Sequence, residues 1–311
     1  LVLEPTSDKA QILEAIDRLN AGGSTAGGAG IQLAYKTAKQ GFIRNGNNRV
    51  ILATDGDFNV GVSSDGALVR LIEEKRKTGV FLSVLGFGSG NYKDSRMEQL
   101  ADKGNGNYAY IDDILEAKKV LVTEMGGTLL TIAKDVKIQV EFNPSAVKAY
   151  RLIGYENRVL AAEDFDDDKK DAGELGAGHT VTALYELISA GSDEAIPMAG
   201  DLKYQKTQLV ESDEMMTVKL RYKQPDGDVS KLITQVVKAA ELEGLDKNPN
   251  IAFASAVAEF GLLLRDSEYK GTASYERLLK RAKQSKGRDE EGYRAEFIRL
   301  VERANLLNAS D

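Results

Sequence analysis

The 311-residue chain contains no cysteine, no tryptophan and only one histidine, His179. The lack of cysteine excludes disulfide bonds, thiolate zinc sites and cysteine nucleophiles. No apolar run approaches the roughly twenty residues that a membrane-spanning helix requires. The net charge of −7 argues against a nucleic-acid-binding surface. What the sequence does contain is 42% hydrophobic residues, which is enough for folded cores rather than disorder.

The first 125 residues alternate between short apolar runs and amphipathic stretches. We predict strands at 49–54, 80–85 and 107–111, and helices at 7–20, 28–41, 65–78, 94–103 and 112–125. In the first helix, Ser7 can cap the N-terminus, and one apolar stripe is formed by Ile12, Leu13, Ile16 and Leu19. Strands that alternate with helices predict an α/β domain with a parallel sheet and helices on both faces, over residues 1–125.

The pattern changes after Gly126 and Gly127. Val136, Ile138 and Val140 alternate with Lys137 and polar residues, as in a strand that buries only its apolar side. Further strands are predicted at 149–155, 180–188, 215–223 and 231–237, the last two joined by a hairpin turn at 224–227. This series predicts an antiparallel β-sandwich over residues 126–245. A helical segment is predicted over 246–311, with helices at 250–265, 273–285 and 289–307.

Thr25 and Asp55 are the candidate metal-ligating residues. Thr25 lies in a loop of small residues that leads into a helix, and Asp55 follows the apolar strand 49–54 directly. Ligands of open α/β sheets bind beyond the carboxyl ends of the strands, where a hydroxyl and a carboxylate suit Mg²⁺ or another hard cation. The alternative is that Thr25 only caps the helix and Asp55 only closes a turn. Ser24 and Asp57 are candidates for the rim of the same site.

Three stretches of the sequence, Gly22–Gly30, Asn48–Gly61 and Gly79–Asn91, resemble von Willebrand factor type A domains. The resemblance covers essentially the whole chain and is closest to a bacterial group in which this domain precedes a conserved C-terminal region. In the family, a metal-ion-dependent adhesion site combines a D-x-S-x-S loop with a threonine and an aspartate from two further loops. The resemblance assigns the threonine role to Thr25 and the aspartate role to Asp55.

The chain departs from the family because it contains no D-x-S-x-S sequence. We therefore interpret it as an N-terminally truncated fragment with an incomplete, doubly wound parallel sheet. It retains two of the roughly five expected ligand residues, so Mg²⁺, Mn²⁺ or Ca²⁺ should bind weakly or not at all. A missing first strand would also leave strand 49–54 with an open apolar edge, which predicts self-association through that edge.

The resemblance implies a non-enzymatic protein-interaction or adhesion module, whose partner supplies an acidic side chain to the metal ion. It also implies a location outside the cytoplasm or anchored in the cell envelope. Two alternatives stay open: a structural envelope component with a vestigial metal site, and a hydrolase that uses His179 and the acidic run 163–171.

Three other motifs have simpler interpretations. Gly86–Asn91 lacks the spacing of a dinucleotide-binding loop and is interpreted as a glycine-rich turn. The acidic run 163–171 resembles a calcium loop, but Lys169 and Leu175 occupy the positions that need glycine and glutamate, so we interpret it as a solvated loop. His179 has no evident catalytic partner in the sequence.

Overall fold

The computed structural model describes residues 2–20, 26–44, 46–58, 64–89, 92–155, 159–170, 172–196, 210, 212–244 and 247–308. Contacts divide the chain into two compact units. The first comprises Leu1–Ile138, Ala162–Thr180 and Leu220–Ile233, and the second comprises Gln139–Ala161, Val181–Lys219 and Thr234–Asp311. The domain boundaries that the sequence predicts at 125/126 and 245/246 stay predictions. No helix in the described ranges is long and apolar enough to cross a membrane.

A three-stranded parallel sheet forms the centre of the first unit. Its strands are β1 (Arg49–Thr54), β2 (Phe81–Phe87) and β3 (Tyr108–Ile111), in the order β1-β2-β3. The helices of this part are α1 (Lys9–Asp17), α2 (Gly27–Gln40), α3 (Asp65–Arg76), α4 (Asp94–Lys103), α5 (Ile114–Lys118) and α6 (Met125–Leu129). The alternation of strands and helices therefore gives the parallel α/β sheet that the sequence predicts.

The main core of the first unit lies on one face of this sheet. Val50, Leu82 and Val84 point to the same side, because alternate residues of a strand share a face. Helices α2, α3 and α4 cover them with the buried side chains of Ile31, Tyr35, Leu68, Ile72, Met97 and Leu100. A smaller cluster contains Leu85, Ile111 and Val120. Ile51 of β1 stays 47% exposed, so the described residues leave part of the sheet uncovered.

Two helix predictions for this region need correction. The N-cap of α1 is Asp8 rather than Ser7, because the Asp8 carboxylate accepts hydrogen bonds from the backbone N–H groups of Ala10 and Gln11. The predicted helix over 112–125 is interrupted by a π-helical turn at Lys119–Thr123, between α5 and α6. The apolar stripe of α1 is largely exposed, because the other described residues do not pack over it.

Six strands follow in two sheets. They are β4 (Thr131–Phe142), β5 (Val147–Ile153), β6 (Gly173–Gly176), β7 (Leu184–Ser189), β8 (Glu214–Lys223) and β9 (Lys231–Lys238). One sheet has the order β6-β4-β8-β9 and the other pairs β5 with β7. The predicted turn between β8 and β9 is present, with the Gly227 N–H donating to the Gln224 carbonyl at 3.0 Å. The antiparallel sheets are confirmed, although the short strand β6 was missing from the prediction.

In β4, Lys137 and Ile138 face the sides opposite to those that the sequence predicts. Alternation placed Ile138 inside and Lys137 outside, yet Lys137 is 3% exposed and Ile138 is 46% exposed. Pairing of β4 with β6 is interrupted by register shifts on both sides of Ala133, and Asp135 takes a left-handed backbone conformation. A bulge of this kind turns the following side chains to the opposite face.

The C-terminal helices belong to the second unit. They are α7 (Pro249–Leu264), α8 (Tyr275–Ser285) and α9 (Tyr293–Asn308). Their shared core includes Ala256, Leu278, Ala282 and Val301, all fully buried, and the rings of Phe253, Phe260 and Phe297 meet edge to face. Asn248 caps α7 and Ser274 caps α8, so the three helices confirm the periodicity of the sequence.

Candidate functional site

Asp55 lies at the carboxyl end of β1, where the sequence predicts a site. Thr54 is in register with Gly86 of β2, so the two strands end at the same edge of the sheet. Asp55 is exposed, and its Oδ1 atom accepts a hydrogen bond from the backbone N–H of Asp57 at 3.0 Å. Thr54 Oγ1 accepts another from the N–H of Gly56, whose φ of +81° suits glycine. Asp55 thus closes a turn, and its carboxylate also reaches solvent.

Helix α4 fixes this turn from the side. The backbone N–H of Lys93 donates to the Asp55 carbonyl at 3.3 Å. The guanidinium of Arg96 donates to the Gly56 carbonyl at 2.9 Å and forms an ion pair with Asp65 at 2.6 Å. These contacts hold the Asp55 turn in place, and such preorganisation reduces the entropy lost when a ligand binds.

Three tyrosines stand at the same edge, and sequence reasoning did not find them. Tyr92 and Tyr108 share a hydrogen bond between their hydroxyls, and Tyr108 donates to Asp94 Oδ1 at 2.5 Å. Tyr110 donates to the Gly88 carbonyl at 2.7 Å, and its ring meets that of Tyr92 edge to face at 4.7 Å. Burial, followed by the hydrogen bond to Asp94, raises the pKa of Tyr108. The edge therefore combines carboxylates with aromatic rings.

Glycines allow these rings to approach the strand ends. A Cβ atom at Gly86 would lie 1.9 Å from the Tyr92 hydroxyl, so no larger residue fits beside that ring. A Cβ atom at Gly88 would lie 3.6 Å from the Asp55 Cβ, which places the loop after β2 directly beside the candidate carboxylate. The only sequence signal for the tyrosines was Tyr108 and Tyr110 on one face of β3, and it needed the parallel register to become useful.

The described residues at this edge offer the oxygen donors that a hard cation prefers, but too few of them to hold the cation. Asp55 and Asp57 supply carboxylate oxygens, which Mg²⁺ and Ca²⁺ prefer. Among the described residues, no group of three or more histidine or acidic side chains could hold a metal ion. Thr25 and Ser24 lie outside the described residues. The roles of Thr25, Asp55, Ser24 and Asp57 in metal binding therefore stay predictions.

The described part of the acidic run, 163–170, exposes Glu163, Asp166, Lys169 and Lys170 to solvent as predicted, but its backbone also packs against the adjoining sheet. The ammonium group of buried Lys137 donates to the carbonyls of Asp164 and Asp167 at 2.9 and 2.5 Å. Buried Lys223 donates to the Asp168 carbonyl at 2.6 Å, and Phe165 is also buried. Because two lysines from the adjoining sheet occupy the inner side of the loop, it packs as a structural element.

His179 does not gain a catalytic environment from the fold. It is exposed, and its backbone N–H donates to the Gly176 carbonyl at 3.1 Å. Within the part of the chain that the structure describes, its ring makes no hydrogen bond to an acid. No geometry here supports a nucleophile and base pair.

Comparison with known proteins defines the class to which this arrangement belongs. The family model for the von Willebrand factor type A domain matches residues 2–122, which contain the parallel sheet and Asp55. Domains of this class are generally protein-interaction modules. The family model described as "Uncharacterized protein YfbK, C-terminal" matches residues 127–307, so the chain belongs to the family that combines this domain with that C-terminal region.

One curated relative extends the comparison. The chain is 45% identical over 306 residues to "Uncharacterized protein YfbK" of Escherichia coli (strain K12), which covers 96% of the chain and 52% of the relative. The chain thus spans about half the length of the curated relative it matches.

The comparison with solved structures gives two weak likenesses. A von Willebrand factor type A protein from Catenulispora acidiphila has 18% identity and a TM-score of 0.40, over 89% of this chain and 64% of the other. The human COPII-coat protein Sec24c has 10% identity and a TM-score of 0.39, over 88% and 37%. We take no residue role from either structure.

Proposed function

We propose that the chain is a protein-interaction module of the adhesion type, which binds its partner at the carboxyl edge of the parallel sheet. The observation that carries the proposal is the exposed Asp55 at the end of β1, held by α4 at the edge of the sheet that also carries Tyr92 and Tyr110. Tyrosines are common in protein interfaces because they combine a large apolar ring with a hydrogen-bonding group.

A divalent cation belongs to this proposal. Asp55 and Thr25 would hold Mg²⁺, or Mn²⁺ or Ca²⁺, with Ser24 and Asp57 at the rim. When bound, the cation supplies an open coordination position for an acidic side chain of the partner. The chain itself orients Asp55 through the turn with Asp57. The resemblance supports a location outside the cytoplasm or anchored in the cell envelope.

Terbium luminescence tests this site without a known partner. Tb³⁺ takes the place of hard divalent cations and emits when a nearby aromatic ring transfers energy to it. The chain has no tryptophan, so tyrosines beside Asp55 are the sensitisers. We expect emission that Mg²⁺ and Mn²⁺ displace, and that Asp55→Asn and Thr25→Ala each reduce at least about tenfold, since each removes one of few ligands.

The matched control is Asp226→Asn, which alters an exposed aspartate in the turn between β8 and β9. Emission that is equally strong in Asp55→Asn and in Asp226→Asn would refute a cation site at Asp55. The second candidate, a structural envelope component with a vestigial site, would then be favoured. The turn that already occupies Asp55 Oδ1 is the observation on its side.

Self-association through β1 is a further part of the proposal. Among the described residues, β1 is an outer strand of the three-stranded sheet, and Ile51 is half exposed on it. An open strand edge of this kind can pair with another chain. We expect sedimentation velocity at high concentration to show a dimer that Ile51→Lys weakens. Ile138→Lys, at an equally exposed isoleucine of β4, should leave the dimer unchanged, and a monomer at all concentrations would contradict this part.

A further inference from the structure

Arg49 begins β1 at the opposite end from Asp55, and its side chain is buried against other strands. Its Nη1 donates to the buried hydroxyl of Ser83 on β2 at 2.6 Å. Its Nη2 donates to Oγ1 of Thr131, the first residue of β4, at 3.0 Å. The guanidinium also lies over the ring of Phe81 at 5.6 Å. One side chain therefore joins the parallel sheet to the first strand of the C-terminal family region.

Strand β6 completes the surroundings of Arg49. Thr131 is in register with Gly176 of β6, and Glu174 of the same strand acts electrostatically on Arg49. Burial lowers the pKa of Arg49, and the carboxylate of Glu174 acts in the opposite direction. A charge removed from water is stable only when an opposite charge and hydrogen bonds compensate it. The guanidinium thus favours the arrangement in which β1, β4 and β6 stay together.

The geometry requires arginine rather than any cation. The two hydrogen bonds start from different nitrogens, Nη1 toward β2 and Nη2 toward β4. The planar guanidinium can donate in both directions at once because its N–H groups form a fork. A lysine ammonium carries its three N–H donors on a single nitrogen, so it would have to reach both hydroxyls from one point. These residues all lie in the first compact unit, so they form one connected structure.

We propose that Arg49 is a buried joint through which β4 and β6 brace the strand that presents Asp55. The C-terminal family region would then set how firmly the candidate site is held, although Arg49 lies at the opposite end of β1 from Asp55. The part of this inference that concerns Asp55 rests on the proposed function, whereas the joint itself rests on the contacts of Arg49.

Hydrogen exchange of the full chain tests the joint. Thr131→Val removes only the hydroxyl on β4 and keeps the shape of the side chain. We expect it to accelerate exchange in β1 about tenfold, although the substitution lies on another strand, because Arg49 loses one of its two described side-chain hydrogen bonds. Arg49→Met should accelerate exchange in β1, β4 and β6 together, and Arg49→Lys should do so less. Helix α7 should exchange as in the wild type in every variant.

The matched control is Arg221→Met, which removes a half-buried arginine of the same unit that pairs with Asp166 and Asp168. Acceleration confined to the substituted strand, or equal in Arg221→Met, would overturn the joint. Should Arg49→Met fail to fold, Thr131→Val alone decides the question.

Terbium emission separates the joint from the proposed function. With the joint and the site both present, Thr131→Val weakens Tb³⁺ binding several-fold while α7 is unchanged. Wild-type protein that binds no Tb³⁺ at Asp55, but shows the coupled exchange, refutes the proposed function and keeps the joint. Tb³⁺ binding at Asp55 with uncoupled exchange refutes the joint and keeps the function.

Discussion

Replacing Lys223 by methionine should destabilise the first compact unit by about 3–5 kcal/mol, because it leaves a buried carboxylate without its counter-charge. The Lys223 ammonium lies 2.7 Å from Asp135 Oδ2 and 2.6 Å from the Asp168 carbonyl. The Lys223 and Asp135 side chains are only 9% and 14% exposed. Solvent therefore screens this pair weakly, unlike a surface ion pair.

The magnitude follows from these two contacts. Each hydrogen bond to a charged group contributes about 1.5–3 kcal/mol, so losing both costs about 3–6 kcal/mol. This range agrees with the roughly 3–5 kcal/mol lost when one partner of a buried ion pair is removed. Methionine fills most of the space of the lysine stem, so the cavity adds little. Asp135 keeps one further described hydrogen bond, from the Ala172 N–H at 3.3 Å, but this bond does not replace the lost positive charge.

Urea unfolding followed by circular dichroism and tyrosine fluorescence measures this loss. The matched control is Lys170→Met, which removes a lysine of the same loop whose ion pair with Asp164 is 3.1 Å long and whose side chain is 51% exposed. It should cost less than about 1 kcal/mol. The double variant Lys223→Met with Asp135→Asn should recover part of the loss, because the unpaired charge is gone. A Lys223→Met variant within about 1 kcal/mol of Lys170→Met would refute the reasoning.

Two further predictions concern Ser230 and Gly86. The hydrogen bond from Ser230 is the main cause that holds the pKa of Asp168 below its ordinary value. A lowered folded pKa gives stability that is present above the unfolded pKa and is lost as pH falls through the folded pKa. Ser230→Ala should therefore raise the pKa of Asp168 and flatten the acid dependence of stability, and carboxyl NMR titration with an unchanged pKa would contradict this. Gly86→Ala should destabilise by about 1–3 kcal/mol, because its methyl would collide with the Tyr92 hydroxyl. Gly30→Ala, at an exposed helical glycine with open space around it, should instead stabilise slightly, and similar urea midpoints for both variants would count against the collision.

The local sequence pattern was enough to predict the strands and helices that bury one face. β1 and the helices α7 to α9 were predictable because their apolar residues recur with the period of the element and their ends carry caps or turns. β6 was not, since Gly173–Gly176 is too short to show a period. Its place is set by pairing with β4, which is a contact between distant parts of the chain.

Lys137 shows why alternation alone can place a side chain on the wrong face. The sequence around it alternates correctly, but the register shifts near Ala133 lie outside the pattern that predicted the strand. The carbonyl groups that accept its ammonium come from a loop nearly thirty residues later in the chain. A buried lysine of this kind is therefore visible only when the loop and the sheet are seen together.

The candidate site divides in the same way. Asp55 was predictable, because an apolar strand followed by a carboxylate marks the edge where ligands bind. Tyr92, Tyr108 and Asp94 were not, since their hydrogen bonds join the end of one strand to the start of a helix through the parallel register. Resemblance to a family supplied Thr25, and its part in the site stays a prediction.

The division of the chain into two units has a practical meaning for anyone who wishes to cut it. The polypeptide passes from one unit to the other at 138/139, 161/162, 180/181, 219/220 and 233/234, and three of these passages run inside β4, β8 and β9. A fragment that ends at 138, 161, 180 or 219 lacks part of the first unit and some or all of the second, and a fragment that ends at 138, 219 or 233 severs a strand. A protease that nicks a single connecting loop should therefore leave two pieces that travel together through gel filtration and separate only in denaturant.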